Sequence, residues 1–149
     1  MANAASATAK SHPAPHRERV GLFAQFFGLA AAPTAWAMQL VLNYGLASYS
    51  CFPRAAPRTT VLPGWGFVWW LLLAFNLLAV ALALAATVVA YLTWRATRHE
   101  HPSGFGHAVA AGEGRTRFFG LVGVMTGLGF LAAVIFDLVA LLVVPQCIG

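Results

Sequence analysis

Three long apolar runs, Gly21 to Tyr49, Trp65 to Trp94 and Phe118 to Val144, alternate with short polar segments along the chain. Each exceeds the roughly 20 residues that a helix needs to cross about 30 Å of hydrocarbon. The pattern predicts an all-α membrane protein with three transmembrane helices. Pro53, Pro57 and Pro63 break the chain between the first two runs, and Pro102 with four glycines in His101 to Gly114 breaks it between the last two. Pro33 falls inside the first run, where it frees the carbonyl of Leu29 and predicts a bend.

Ahead of the first run, Met1 to Glu18 is rich in Ala, Ser, Pro and His without apolar period. Such a segment cannot bury enough surface to offset the entropy of ordering it. Residues 1–20 therefore read as a tail, disordered or held by a partner, and residues 21–149 as one three-helix transmembrane domain. The first run is longer than the usual apolar core of a signal peptide, about 7 to 15 residues, and is expected to stay as an anchor.

Composition supports this reading. Of 149 residues, 60% are hydrophobic and only 9% charged, with a mean hydropathy of +0.73, which an ordinary soluble surface does not reach. All nine basic residues lie outside the runs. Lys10, Arg17 and Arg19 precede the first; Arg95, Arg98, Arg115 and Arg117 flank the gap between the second and third; Arg54 and Arg58 follow the first. The positive-inside bias puts the N-terminus in the cytoplasm and the C-terminus outside, which is the periplasm beyond the bacterial inner membrane if the host is a Gram-negative cell. The net charge of +5 is then topological, and no nucleic-acid partner is expected. Aromatic residues fall where two interfacial belts should lie: Tyr49, Trp65, Trp69 and Trp70 on one side, Phe23, Tyr91, Trp94, Phe118 and Phe119 on the other.

Candidate chemistry is sparse. Asp137 is the one acidic residue inside a run; a carboxylate there costs about 2.5 to 3.5 kcal/mol even on lenient scales, so it should face protein or water, or carry a proton. Gln39 and Asn43, four residues apart, share a face of the first helix with Trp36 close to the same stripe. Counting depth by helical rise places Asn43 level with Asp137, and Gln39 level with Asn76, giving two polar layers. These groups read as interhelical hydrogen bonds, worth about 0.6 kcal/mol each, in preference to an ion route. Gly123 and Gly127 form a small-xxx-small pattern that predicts close packing of the third helix against another helix or subunit. The second run reads as apolar all round, interrupted only by Asn76, Thr87 and Thr93.

Cys51 follows the first run and Cys147 the third, so both fall on the outer side. A structural disulfide is preferred to a redox-active pair, since there is no Cys-x-x-Cys spacing and no adjacent cation. His12, His16, His99, His101 and His107 all lie outside the runs, so no haem-ligating imidazole is expected in the membrane, and the loop cluster of His99, Glu100, His101 and His107 lacks zinc-site spacing. No nucleophile stands beside a base and no phosphate-cradling loop or dinucleotide fingerprint is present. The expectation is a protein that is not an enzyme and carries no cofactor and no metal.

The string Pro33-Thr34-Ala35-Trp36-Ala37-Met38-Gln39-Leu40, followed by Tyr44, Cys51-Phe52-Pro53 and a closing Pro145-Gln146-Cys147, resembles small three-helix membrane proteins encoded beside bacterial cytochrome c oxidase subunits. The likeness covers the three runs, and not the tail or the inner loop. It implies an accessory, supernumerary or assembly-linked subunit of a haem-copper terminal oxidase, with the core subunits and membrane lipids as partners. Trp36, Gln39, Cys51 and Cys147 carry over as structural elements. Two rival expectations are a small oligomeric transporter or channel built around Asp137, and an assembly factor delivering copper or haem through the outer cysteines.

Overall fold

In the computed structural model, which describes residues 21–52, 59–97, 115–145 and Cys147, the chain folds into three helices: α1 (Leu22–Cys51), α2 (Val68–Thr97) and α3 (Arg115–Val143). α2 and Thr116–Val143 of α3 are long and apolar enough to cross a membrane, with mean hydropathies of 2.5 and 2.3. α1 is equally long at 30 residues, but Gln25, Thr34, Gln39 and Asn43 dilute its apolar character. The helix continues unbroken through Pro33. The tail and the histidines of the inner segment lie outside the described residues.

The helix boundaries follow local chemistry. α2 starts three residues later than the apolar run because Leu62-Pro63-Gly64-Trp65 forms a tight turn, with the Trp65 N–H donating to Leu62 O at 2.9 Å. Pro63 presets the first central position, and Gly64 takes φ 87° at the second, which marks a type II turn that a side chain would strain. The Leu62 N–H donates to Ser50 O at 3.2 Å, tying this turn to the end of α1. Arg95 sits in the last turn of α2, where a cation complements the helix dipole.

α2 runs antiparallel to α1 and α3, and its buried stripe fixes the packing. Leu72, Asn76, Ala79, Ala83, Ala86, Ala90, Thr93 and Thr97 are buried, at alternating steps of four and three that make a seven-residue repeat. Gly28, Ala32, Ala35 and Gln39 continue the same repeat on α1, and Thr116, Gly120, Gly123, Gly127 and Val134 on α3. A sustained heptad of inward positions is the pattern that favours left-handed helix crossings. What distinguishes this seam is size, since nearly all its members are Gly, Ala or Thr, while the large apolar residues Phe23, Met38, Leu78, Leu92, Met125 and Phe136 point outward. Such a seam permits the close backbone approach by which helices of this apolar character pack together.

Ala90 marks the point where all three helices converge. Its Cβ would lie 3.1 Å from a Cβ added at Gly28 and 3.0 Å from one added at Gly123, and the Gly123 position is also 3.2 Å from the carbonyl oxygen of Gly28. Only glycine on α1 and α3 leaves room for that approach. Further along, Ala32, Ala83 and Ala86 form one apolar layer against Phe27, Phe130 and Leu131. Ala35, Ala79 and Val134 form the next, flanked by Trp36 and Val80.

Candidate functional site

One helical turn beyond the Ala35, Ala79 and Val134 layer, the inward positions become polar: Gln39 on α1, Asn76 on α2 and Asp137 on α3. Asp137, half-buried, falls on the seven-residue repeat of Thr116, Gly123 and Phe130, so its side chain belongs to the interior stripe rather than the outer face. Asn76 is 0% exposed and Gln39 2%, a degree of burial that forces each polar atom to find a partner or stand at a cost.

Asn76 is the hub. Its Nδ2 donates to Leu72 O at 2.8 Å and to Asn43 Oδ1 at 3.0 Å. Its Oδ1 accepts from Gln39 Nε2 at 2.5 Å and, at the edge of bonding range, from Asn43 Nδ2 at 3.5 Å. Because a backbone carbonyl can only accept, Leu72 O settles which end of the Asn76 amide is nitrogen. That orientation turns Asn76 Oδ1 toward Gln39, which must answer with Nε2. Gln39 Oε1 is then directed elsewhere, and it is buried with no hydrogen-bond partner, as is Asp137 Oδ2.

Counting helical rise along the sequence assigns Gln39, Asn43, Asn76 and Asp137 to two depths; the hydrogen bonds merge Gln39, Asn43 and Asn76 into one cluster. Trp36 lies just below it, its ring tilted on Phe130 of α3 at 5.2 Å between centroids. Gly123 and Gly127 lie on the α3 seam, well removed from the cluster. A Cβ at Gly127 would come within 2.5 Å of Thr87 Oγ1, whose hydroxyl is already donated to Ala83 O at 2.7 Å. Gly28, Ala90 and Gly120 make comparably close approaches, and no spaced glycine motif singles them out. Their signal is the recurrence of small residues every three or four positions.

Beyond the cluster, Cys51 and Cys147 are joined by a disulfide with S–S 2.05 Å and Cα–Cα 5.5 Å, bridging 96 positions of sequence. The bond clamps the end of α1 to the segment after α3, and Cys51 is 1% exposed. Around this end stand Tyr49 and Trp65 at 5.0 Å and Trp69 and Trp70 at 4.7 Å, while Tyr91 and Trp94 at 5.9 Å stand toward the opposite end. An open groove bounded by Thr59, Thr60, Trp69 and Leu141 lies beside the clamp. Among the described residues, no three His, Cys, Asp or Glu side chains gather as a metal site.

No protein-family model matches the chain, and no curated protein or solved structure is significantly similar to it.

Proposed function

We propose that this protein is an accessory subunit of a bacterial haem-copper terminal oxidase, a three-pass protein of the inner membrane that stabilises the assembly by packing and carries no redox centre or catalysis of its own. The observation that carries the reading is the division of the bundle. Interior stripes hold small residues, an amide cluster and a disulfide clamp, while large apolar side chains such as Phe23 (81% exposed), Phe136 (74%) and Val143 (73%) cover the outside. Such a body offers lipid and neighbouring subunits a rigid apolar surface. The resemblance carried by Pro33 to Leu40 and the paired cysteines supplies the choice of complex.

In this reading α1 crosses the membrane with α2 and α3, since Gln39 and Asn43 belong to the interior cluster and Phe23, Phe26, Met38 and Val41 make its outward face largely apolar. The N-terminus lies in the cytoplasm with the arginine-rich gap between α2 and α3, and the cysteines lie in the oxidising periplasm, where a disulfide persists. Mass spectrometry of the oxidase purified in mild detergent should find this chain, and a tagged copy should bring down core subunits with a haem spectrum. A tagged chain that elutes alone, without haem, sinks the proposal.

One observation favours a second reading. The buried, unpartnered Oδ2 of Asp137 is the kind of group that lines an ion path in a small oligomeric transporter. Ion flux through reconstituted protein that is unchanged in Asp137→Asn would remove that alternative.

A further inference from the structure

We propose that Asp137 is a proton-binding site of the polar layer: its carboxylic acid donates a hydrogen bond to Gln39 Oε1 and so closes the layer across all three helices. The inference does not depend on which complex the protein joins.

The argument is a count of donors and acceptors. Leu72 O fixes the orientation of the Asn76 amide, which fixes that of Gln39, as derived above, and leaves Gln39 Oε1 buried as an acceptor without a donor. Asp137 Oδ2 is likewise buried and unpartnered. Both groups lie one turn beyond the Ala35, Ala79 and Val134 layer, on stripes that converge on the bundle interior. An ionised carboxylate only accepts, so it could take a second amide N–H of Gln39 or Asn43 but would leave Gln39 Oε1 without a donor. A protonated carboxyl supplies the missing donor and uses one orphan to satisfy the other.

Among the described residues, no donor reaches Gln39 Oε1. The polar groups at the level of Asp137 on the packed helices are the neutral amides of Gln39 and Asn43 on α1 and Asn76 on α2. Of the described charged groups, Arg95 and Arg117 lie toward the opposite end, and Tyr44, one residue past Asn43, is 78% exposed on the outer face of α1. The proton-transfer balance is simple: the proton taken up from water on the acid side is held on one Asp137 oxygen and returned when the site ionises, with no other bond made or broken.

Asp137 is the only aspartate in the chain, so an isotope label on aspartate reads this site alone without mutation. The full chain, made by cell-free synthesis with carboxyl-13C aspartate and placed in lipid vesicles, is read by infrared spectroscopy at neutral pH. The expected result is an isotope-shifted carboxylic-acid C=O band, lowered in frequency by hydrogen bonding, that moves up in Gln39→Leu. A label found only as carboxylate at neutral pH overturns the proposal. So does an acid band at the frequency of a free acid in the unsubstituted protein, a result that stands even where Gln39→Leu fails to fold. An acid band that Gln39→Leu leaves in place overturns it as well. Loss of oxidase co-purification would leave all these bands untouched, so the two proposals fail separately.

Discussion

At the level of Ala90 the three helices touch through Gly28 and Gly123, whereas about four turns further along α2, at Asn76, α1 and α2 are joined through amides. The glycine level has almost no chemistry. Its stability is dispersion between backbones brought close, and it is sensitive to added volume and indifferent to polarity. The amide level is sensitive to polarity, because a buried donor or acceptor left unmet costs about 1 to 3 kcal/mol. The pair shows two ways in which long apolar helices hold together: by fit where side chains are small, and by hydrogen bonding where they are not. The disulfide sits beyond the amide end, and the arginine end has no covalent counterpart among the described residues.

The sharpest test of that asymmetry is removal of the clamp. Cys147→Ser, or reduction, should cost between about 2 and 5 kcal/mol, given the long loop the bond closes. The loss should be read by unfolding in mixed detergent micelles. Spin labels on α1 and α3 should separate at the Cys51 end while the Gly28 level stays closed. Equal separation at both ends would show that the glycine level cannot stand without the clamp.

Gly120→Val should come next. A Cβ there would meet the backbone nitrogen of Trp94 at 2.9 Å and its Cα at 3.0 Å, atoms that cannot rotate away, and overpacking of this kind costs about 3 kcal/mol. At Gly129 a Cβ meets nothing within 4 Å, so Gly129→Val is the matched control and should leave the same micelle unfolding curve nearly in place. A smaller effect at Gly120 than at Gly129 would mean that the seam is not where α3 docks.

Asn76→Leu probes the other half. Leu keeps the same branched skeleton, though bulkier, but leaves Gln39 Nε2 and Asn43 Oδ1 without their hub, so about 2 kcal/mol should be lost although no cavity forms. By contrast Leu78→Val, at a residue 55% exposed on the outer face of the same helix, should barely register. If Asn76→Leu stabilises the bundle, the amides serve specificity of pairing and not stability.

How legible this contrast is depends on what kind of signal carries it. The three apolar runs announce helices, with the start of α2 displaced by about three residues where the Pro63 and Gly64 turn delays it. That displacement shifts a depth estimate by about 4.5 Å at 1.5 Å per residue, close to the turn of helix that separates Gln39 from Asn43. Depth counting therefore gives two polar layers where side-chain reach makes one cluster. α2 reads as apolar all round, yet 33% of its apolar stretch is buried against 11% for α3. The reason is physical: in a membrane helix both faces are apolar, and inside differs from outside in size. Ala79, Ala83, Ala86 and Ala90 carry the address of the seam, and a reading tuned to polarity passes over them. The pairing of Asn76 with both Asn43 and Gln39 is beyond the sequence, because it depends on which carbonyl Asn76 meets first.

Asn43→Ala sets the lower bound of the comparison. Asn76 Nδ2 loses the acceptor at 3.0 Å but keeps Leu72 O at 2.8 Å, and Asn76 Oδ1 keeps Gln39 Nε2. One of the two Asn76 N–H groups loses its acceptor while the hub's bonds to Leu72 and Gln39 stay in place, so the cost should fall near about 1 kcal/mol, below that of removing the hub itself. The double variant with Asn76→Leu should then cost less than the sum of the two, since the Asn43 bond is already gone when its hub is removed. Should Asn43→Ala alone cost as much as Asn76→Leu, measured by the same micelle unfolding, the layer acts as one all-or-none unit in which Asn43 holds the hub in place. The amide end would then behave as the glycine end does, giving way as a whole at the first misfit.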